Sequence, residues 1–578
     1  LYSQSQRTNA GTRGLDAQGE RIYIDTFLDK KLQPTILTGS LQLVIISGNA
    51  GDGKTAFIQR LAKSAEQLGA HITYLQNGFT FDLEGHSYLS NYDGSQDEGE
   101  KTNDEVLLAF LGPFSGSDEK HWPTKETRLI AINEGRLIDF LSDHEKQFSQ
   151  LAEIVRKGLI GATTPQNIAV INLNLRSVVI DLETKNDSLF DHLIRRMTEP
   201  RFWEACEGCD LKQRCYIYHN AHTFMDPVTG PKTIERLKTL YIVTHLRGKL
   251  HITLRDLRSA LAYMLVGTLD CQEIHKLYST NTQMAQQQIM DSFYFNSWMG
   301  GSHTSNDRLL SLLKEIDIAE VSNPDLDRDF DFMNPQQREL RRFTYTGRGS
   351  YDAELLHTFF QRLPREYNEK TRAKHMEQHR NYVAMSRRRY FFEGRNKHWI
   401  EMLPYEHFSS FLLLVKGEDQ TTSVQVQDLL QAINQGEGLI DPVALGNTLA
   451  LRVRHVEKGT IQSYRLFKGD AFSISQQEQH ESIRFIEYLP QAIYLRYQPE
   501  MGSNAELRIT LDIYEMLMRL KSGYRPSPEE LQGFYLSLTI FKNVLSSAPY
   551  QEVLLTETGH TFYIVRKSND GRLSIEQR

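Results

Sequence analysis

The hydrophobic pattern is sharpest where it ends. Residues 41–47 read LQLVIIS, almost all apolar with a β-branched centre, as expected for a strand buried on both faces. The run stops at Gly48-Asn49-Ala50-Gly51-Asp52-Gly53-Lys54-Thr55, a complete G-x-x-x-x-G-K-[ST]. A helix is predicted to follow from Lys54 to about Leu68. Strand, glycine-rich turn and helix N-terminus together make a phosphate cradle: backbone N–H groups turn inward and the helix dipole adds positive potential. Lys54 is placed to reach the β- and γ-phosphates, and Thr55 to hold Mg²⁺. Gly48, Asn49, Gly51, Asp52, Gly53, Lys54, Thr55 and Ala56 are therefore the expected nucleotide contacts.

Further strands are predicted at Ala70–Gln76, at Leu129–Ile132 and from Asn167 to Arg176. The second delivers Asn133 and Glu134 at its carboxyl end, where parallel sheets bind ligands. The third ends in Asn172, Asn174 and Arg176. Residues 91–105 hold six acids against one lysine and read as a solvated loop. Residues 191–204 have helical patterning. From Thr253 to Gly267 the pattern is a capped helix: Thr253 with Asp256 three residues on, leucines along one face, and Gly267 at the end. Arg255 and Arg258 share a side of it. Later, 449–467 and 482–497 alternate as strands with a turn at Gly459. Residues 507–520 and 528–546 pattern as helices, and 550–565 as a hairpin around Thr558-Gly559.

Length and charge narrow the class. A chain of 578 residues is too long for one core. No run of 18 apolar residues exists, so no membrane helix is expected. The first 20 residues read as a flexible lead-in without the apolar centre of a signal peptide, and the cytoplasm is the expected compartment. Net charge is −7, so bulk charge does not point to nucleic acid. Between Arg338 and Lys397, however, 15 Lys/Arg face 7 Asp/Glu, with aromatic residues interleaved. Such a stretch suits a DNA strand or backbone, most densely at Arg387-Arg388-Arg389-Tyr390. The alternative is a basic helical surface that docks on an acidic partner or on this chain's own acidic part.

Three of the four cysteines, Cys206, Cys209 and Cys215, fall within ten residues. C-x2-C-x5-C is a chelating spacing, with Cys271, or else His219 or His222, as the fourth ligand. Zinc is the expected ion and an iron–sulfur cluster the alternative.

The loop and the strand ending in Asn133-Glu134 resemble ATPases of the AAA+ type. These carry Asp-Glu at that point, a polar sensor after the next strand, and a lid arginine. The resemblance implies Glu134 as the base that activates water, Asn172 (Asn174 as second choice) as the sensor, and Arg255 as the lid arginine. Arg176 would serve its own site or a neighbouring subunit. Asn133 departs from the pattern by lacking a charge, which puts the rate of hydrolysis in question. GNAGDGKTAF, AINEGRLIDF, the cysteine segment and RLKSGYRPSPEELQGFYLSLTIFKNVL are more specifically similar to the DptF (DndF) family. That family is the P-loop component of bacterial DNA phosphorothioation-dependent restriction. The resemblance implies an ATP- and Mg²⁺-dependent ATPase that works with DptG-like and DptH-like partners and DNA. A homo-oligomer is a separate possible partner. The expected fold is α/β: a P-loop AAA+-type parallel sheet (21–190), a helical lid with a cysteine-rich insertion (191–280), a helical basic region (281–405), and a mixed α+β C-terminal domain (406–578).

Overall fold

The computed structural model describes residues 17–577 except 185–186, 213, 281, 300–306, 325–326, 328–368, 395–396, 419–421, 438–444, 453–460, 477–480, 500–503, 526, 548–551, 558–560 and 569–570. Most of the lead-in, much of the basic run and the turns at Gly459 and Thr558-Gly559 therefore lie outside the described residues. The chain forms two compact units. One holds 1–245, 250–404 and 479–489; the other holds 246–249, 405–478 and 490–578. Of residues 21–405, all but 246–249 and 405 fall in the first unit.

The first unit is built on a six-stranded sheet of β1 (Leu43–Ser47), β2 (Thr73–Leu75), β3 (Gly78–Leu83), β4 (His86–Asn91), β5 (Glu126–Ile132) and β6 (Ile168–Asn172), in the order β2-β3-β4-β5-β1-β6. Strands β4, β5, β1 and β6 run parallel. The sheet is mixed rather than wholly parallel, because β2, β3 and β4 are joined by two-residue turns. A connection that short can only reverse the chain. Glu84 and Gly85 in the second turn have φ of 52° and 80°, the pair of positive values that a tight hairpin turn needs.

The double-sided burial expected of β1 is present. Val44 and Ile46 pack on one face with Phe57, Ile58, Leu61 and Ala65 of helix α1 (Lys54–Gln67). Leu43 and Ile45 pack on the other with α2 (Asn103–Leu111), α3 (Glu134–Asp143) and α4 (Ser149–Leu159). Helices α5 (Leu189–Met197), α6 (Tyr216–Met225), α7 (Thr229–Leu246), α8 (Leu254–Val266), α9 (Cys271–Ser279), α10 (Gln283–Asp291), α11 (Arg308–Lys314) and α12 (Glu369–Glu393) follow. Helix α8 has the anticipated limits: the Thr253 side chain and Asp256 cap each other's backbone N–H groups, and Gly267 ends it.

The second unit contains β7 (Thr448–Arg452), β8 (Gln462–Lys468), β9 (Phe472–Gln476), β10 (Ile493–Tyr497), β11 (Ala505–Ile509), β12 (Glu552–Thr556), β13 (Phe562–Lys567) and β14 (Leu573–Gln577), in antiparallel sheets ordered β11-β10-β9 and β14-β13-β12-β8-β7. The 550–565 hairpin is present as β12 (Glu552–Thr556) and β13 (Phe562–Lys567). Two expectations change. Residues 505–509 form a strand before the helix Leu511–Lys521, because Leu507 and Ile509 alternate with Glu506 and Arg508. The 482–497 stretch splits: only Ile493–Tyr497 is a strand, while Phe485 and Ile486 join the first unit's core.

His245, at the end of α7, is buried, with Nε2 3.0 Å from the Leu489 carbonyl. Burial, with His251 nearby, pushes its pKa down to about 4. The unfolded chain protonates this histidine near pH 6.5 and the folded chain does not, so stability contributed at neutral pH is lost as pH falls from about 6.5 towards 4. That loss is expected to reach about 3 kcal/mol. Denaturant midpoints between pH 7 and 4 will show it, and His245→Gln should flatten the slope; an unchanged slope would contradict this.

Candidate active site

The site lies where β4, β5, β1 and β6 end, with the N-terminus of α8 beside them. The turn after β1 takes backbone angles that only glycine adopts readily: φ is 154° at Gly48, 106° at Gly51 and 86° at Gly53. Gly51 is also fixed by contact, since a Cβ there would lie 2.7 Å from Arg255 Cβ. Arg255 N–H donates to the Gly51 carbonyl at 3.1 Å, so the start of α8 rests on the loop. The Arg255 side chain itself is exposed.

Lys54 folds across the loop. Its ammonium donates to the carbonyls of Gly48 and Asn49 at 2.7 and 2.8 Å. Burial holds its pKa below the usual ammonium range; the carboxylates of Asp52 and Asp93 oppose that, and Arg176 and Arg255 add to it. A polyanion would supply the negative charge that this position lacks. The Thr55 hydroxyl donates to the Tyr92 carbonyl at 3.1 Å, next to Asp93. Asn49 is exposed and Ala56 half-buried.

Asp52 faces inward instead of towards a ligand. It is fully buried. One oxygen accepts from Asn49 N–H at 2.7 Å and the other lies 3.0 Å from His251 Nε2. Arg176, 2% exposed, places a guanidinium nitrogen 3.7 Å from the Asp52 carboxylate and donates to its carbonyl. Arg176 thus serves its own chain, as a buried prop under the loop, and is not available to a neighbouring subunit. Glu487, buried and with its pKa raised by that burial, lies near Arg176, and one of its oxygens accepts from Phe27 N–H at 2.6 Å.

Asn133 caps α3, accepting from Gly135 N–H at 3.0 Å, and its own N–H donates to the Ser95 hydroxyl at 3.0 Å. Glu134 is half-buried. The side chain that meets it is Asn174, whose Nδ2 donates to a Glu134 oxygen at 2.5 Å. Asn172, expected as the sensor, is held elsewhere: its oxygen accepts from Asn174 N–H at 3.0 Å and its Nδ2 donates to Leu159 carbonyl at 2.9 Å. The second choice is therefore the residue that touches Glu134, and Asn172 positions it.

Asp93 and His251 were not legible as site residues. Asp93 sits in the acidic loop read as solvated, yet the backbone from Asn91 onward follows β5: Gly94 N–H donates to the Ala131 carbonyl at 2.7 Å. The Glu84-Gly85 turn was the available signal, since it makes the β3–β4 hairpin that returns β4 to the sheet beside β5. His251 precedes α8, with no pattern of its own.

Of the expected ligands, Cys209 has its Sγ 3.4 Å from His275 Nε2, and the donor atoms of Cys209, Asp210 and His275 lie within 4.8 Å of one another. His219 is buried against Phe293 with its Nε2 3.6 Å from Glu393. His222 stacks on Tyr218. His275, not foreseen, is the histidine seen against Cys209.

The densest point of the basic run is not a free surface. Arg387 makes a two-point pair with Asp327 at 2.6 and 2.5 Å. Arg388 does the same with Asp317 at 2.8 and 2.6 Å. Arg389 pairs with Glu393 at 3.2 Å. The self-docking alternative thus describes these three residues. Arg372, Lys374 and Arg380, earlier in α12, are exposed. Removing one partner of a buried pair leaves the other uncompensated, so Arg388→Ala is expected to cost about 3–5 kcal/mol of stability. Urea denaturation measures this; a change below about 0.5 kcal/mol would be that of a surface site.

Among the described residues no helix is long and apolar enough to cross a membrane. No family model, curated protein or solved structure matches the chain, so a functional reading rests on the residues and their geometry.

Proposed function

We propose that the chain binds ATP with Mg²⁺ at the 48–55 loop and hydrolyses it, as the P-loop AAA+-like ATPase component of a DNA phosphorothioation-dependent restriction complex. The observation that carries the ATPase reading is the convergence of the glycine loop, Lys54 and Thr55 with two carboxylates, Glu134 and Asp93, from the ends of neighbouring strands. The restriction assignment, with DptG-like and DptH-like partners, DNA and a possible homo-oligomer, rests on the sequence resemblance.

In this reading the backbone N–H groups of residues 48–55 and the start of α1 bind the phosphates. Lys54 leaves the Gly48 and Asn49 carbonyls for the β- and γ-phosphates, and Thr55 and Asp93 are the residues that would hold Mg²⁺. The magnesium ion, when bound, neutralises charge developing on the phosphate oxygens. Asp93 supplies the charge missing at Asn133, whose oxygen is engaged as a helix cap. Glu134 accepts the proton of water attacking the γ-phosphorus as ADP leaves. Asn174 holds Glu134 in place, and Arg255 stands at the mouth of the site from α8.

A second reading, a nucleotide-gated scaffold with little turnover, is favoured by one observation: Glu134 is already tied to Asn174. Phosphate release in the presence of DNA and partners separates the two. Lys54→Ala is expected to weaken nucleotide binding by at least about 30-fold, the loss of charge-assisted hydrogen bonds to phosphate. Glu134→Gln should retain binding and lower turnover by about 10²–10⁴-fold. Asp93→Asn should raise the Mg²⁺ requirement. Unchanged turnover in Glu134→Gln would remove it from this role, and unchanged binding in Lys54→Ala would remove the loop.

A further inference from the structure

Two consecutive turns shape the segment before α6. Cys209 N–H donates to the Cys206 carbonyl at 3.2 Å, and Lys212 N–H donates to the Cys209 carbonyl at 3.1 Å. The corner between the turns presents Cys209 and Asp210 side by side. Helix α9 meets that corner. Its start is fixed by Asp270 and Glu273, whose side chains cap each other's backbone N–H groups. His275 follows in the next turn. Tyr278, three residues on and so on the same face, accepts Tyr216 N–H at 3.0 Å. The far end of the segment is thereby pinned to the same helix. Three metal-ligating side chains meet as a result. His275 Nε2 lies 3.4 Å from Cys209 Sγ, and His275 Nδ1 lies 3.6 Å from Asp210 Oδ1. That oxygen is 3.9 Å from Cys209 Sγ.

Glu207 and Lys212 of the same segment pair with each other, so the acid turned to His275 is Asp210. In tetrahedral zinc sites, with sulfur at about 2.3 Å and nitrogen or oxygen at about 2.0–2.1 Å, donor atoms stand roughly 3.3–3.6 Å apart. The sulfur–nitrogen distance is already in that range. The carboxylate, next to Cys209 in the chain and turned outward, needs only a rotation to close the third edge. We propose that Cys209 Sγ, His275 Nε2 and the Asp210 carboxylate hold one zinc ion, with the fourth position open to water.

Chemistry, charge and exposure choose this ion and this set. A thiolate with an imidazole suits zinc, whereas magnesium and calcium take oxygen donors. An iron–sulfur cluster needs several thiolates, and among the described residues no other cysteine belongs to a group of three such donors. One thiolate and one carboxylate balance the two charges of the ion. The Asp210 side chain is 81% exposed and that of His275 45%, so water reaches the fourth position, as in zinc sites that keep one open. The ion would tie the 206–215 segment to α9. Helix α6, which starts directly after Cys215, packs on α8, and α8 rests on Gly51. The zinc site stands at one remove from the candidate ATP site, and it holds whether or not that site hydrolyses ATP.

The test uses the full chain, purified without chelator, supplied with zinc and dialysed. Elemental analysis should find one zinc per chain. Cys209→Ser, Asp210→Ala and His275→Ala should each weaken zinc binding by more than the roughly 10–100-fold expected of a residue that only positions a ligand. Cys206→Ser, Cys215→Ser and Cys271→Ser should keep it. If a variant does not fold, the cobalt form of the unaltered chain reads the ligand set directly. Its spectrum should show one thiolate–cobalt bond and should shift when azide enters the open position. A chain without stoichiometric zinc would overturn the proposal, leaving the three side chains as a polar contact between the turn and α9. So would zinc held undiminished by His275→Ala, zinc lost from Cys206→Ser, Cys215→Ser or Cys271→Ser, or a cobalt spectrum that shows several thiolates or ignores azide.

Discussion

The candidate site depends on a buried carboxylate. Asp52 has no exposed surface, and a charge in that position is tolerable only with close partners. It has them from three directions: the loop's own Asn49 N–H, Arg176 from the end of β6, and His251 from the approach to α8. Each contact fixes one wall of the site against another. The loop's shape is thus a consequence of a polar cluster beneath it as much as of its glycines.

That cluster explains why residues so far apart in sequence meet. Strand β1 is flanked by β5 and β6 in parallel register, so their carboxyl ends open to one side. Asn133-Glu134 follows one neighbour and Asn172-Leu173-Asn174 the other. The hairpin β3–β4 returns a further strand parallel to β5 and places Asp93 near Lys54. Helix α8 closes the arrangement through a backbone hydrogen bond to Gly51 and the side chain of His251's neighbour in the loop, Thr253, which a Cβ on Gly51 would meet at 3.0 Å.

Local chemistry was legible where the chain itself carries it. The strand–loop–helix around Gly48–Thr55, the caps of α8 and the hairpin at β12–β13 follow from periodicity and turn residues over short spans. What was missed is non-local. Asn172 and Asn174 look equivalent in sequence; only the fold decides that the first bonds to Leu159 and the second to Glu134. Asp93 was hidden in an acidic stretch because its neighbour in space is β5, which begins only at Glu126. Arg387, Arg388 and Arg389 look like a nucleic-acid patch until Asp327, Asp317 and Glu393 are brought against them. His275 becomes a companion of Cys209 only once α9 packs on the cysteine turn. A one-dimensional charge count cannot distinguish a paired guanidinium from a free one.

The central claim is that the 48–55 loop grips a triphosphate beside Glu134. The most direct measurement is a crystal structure of the chain with a non-hydrolysable ATP analogue and magnesium. The account predicts phosphate density inside the loop, with Lys54 Nζ moved from the Gly48 and Asn49 carbonyls onto phosphate oxygens and Glu134 facing the γ-phosphate. Density for the analogue elsewhere, or an empty loop with Lys54 still on those carbonyls at saturating nucleotide, would contradict it.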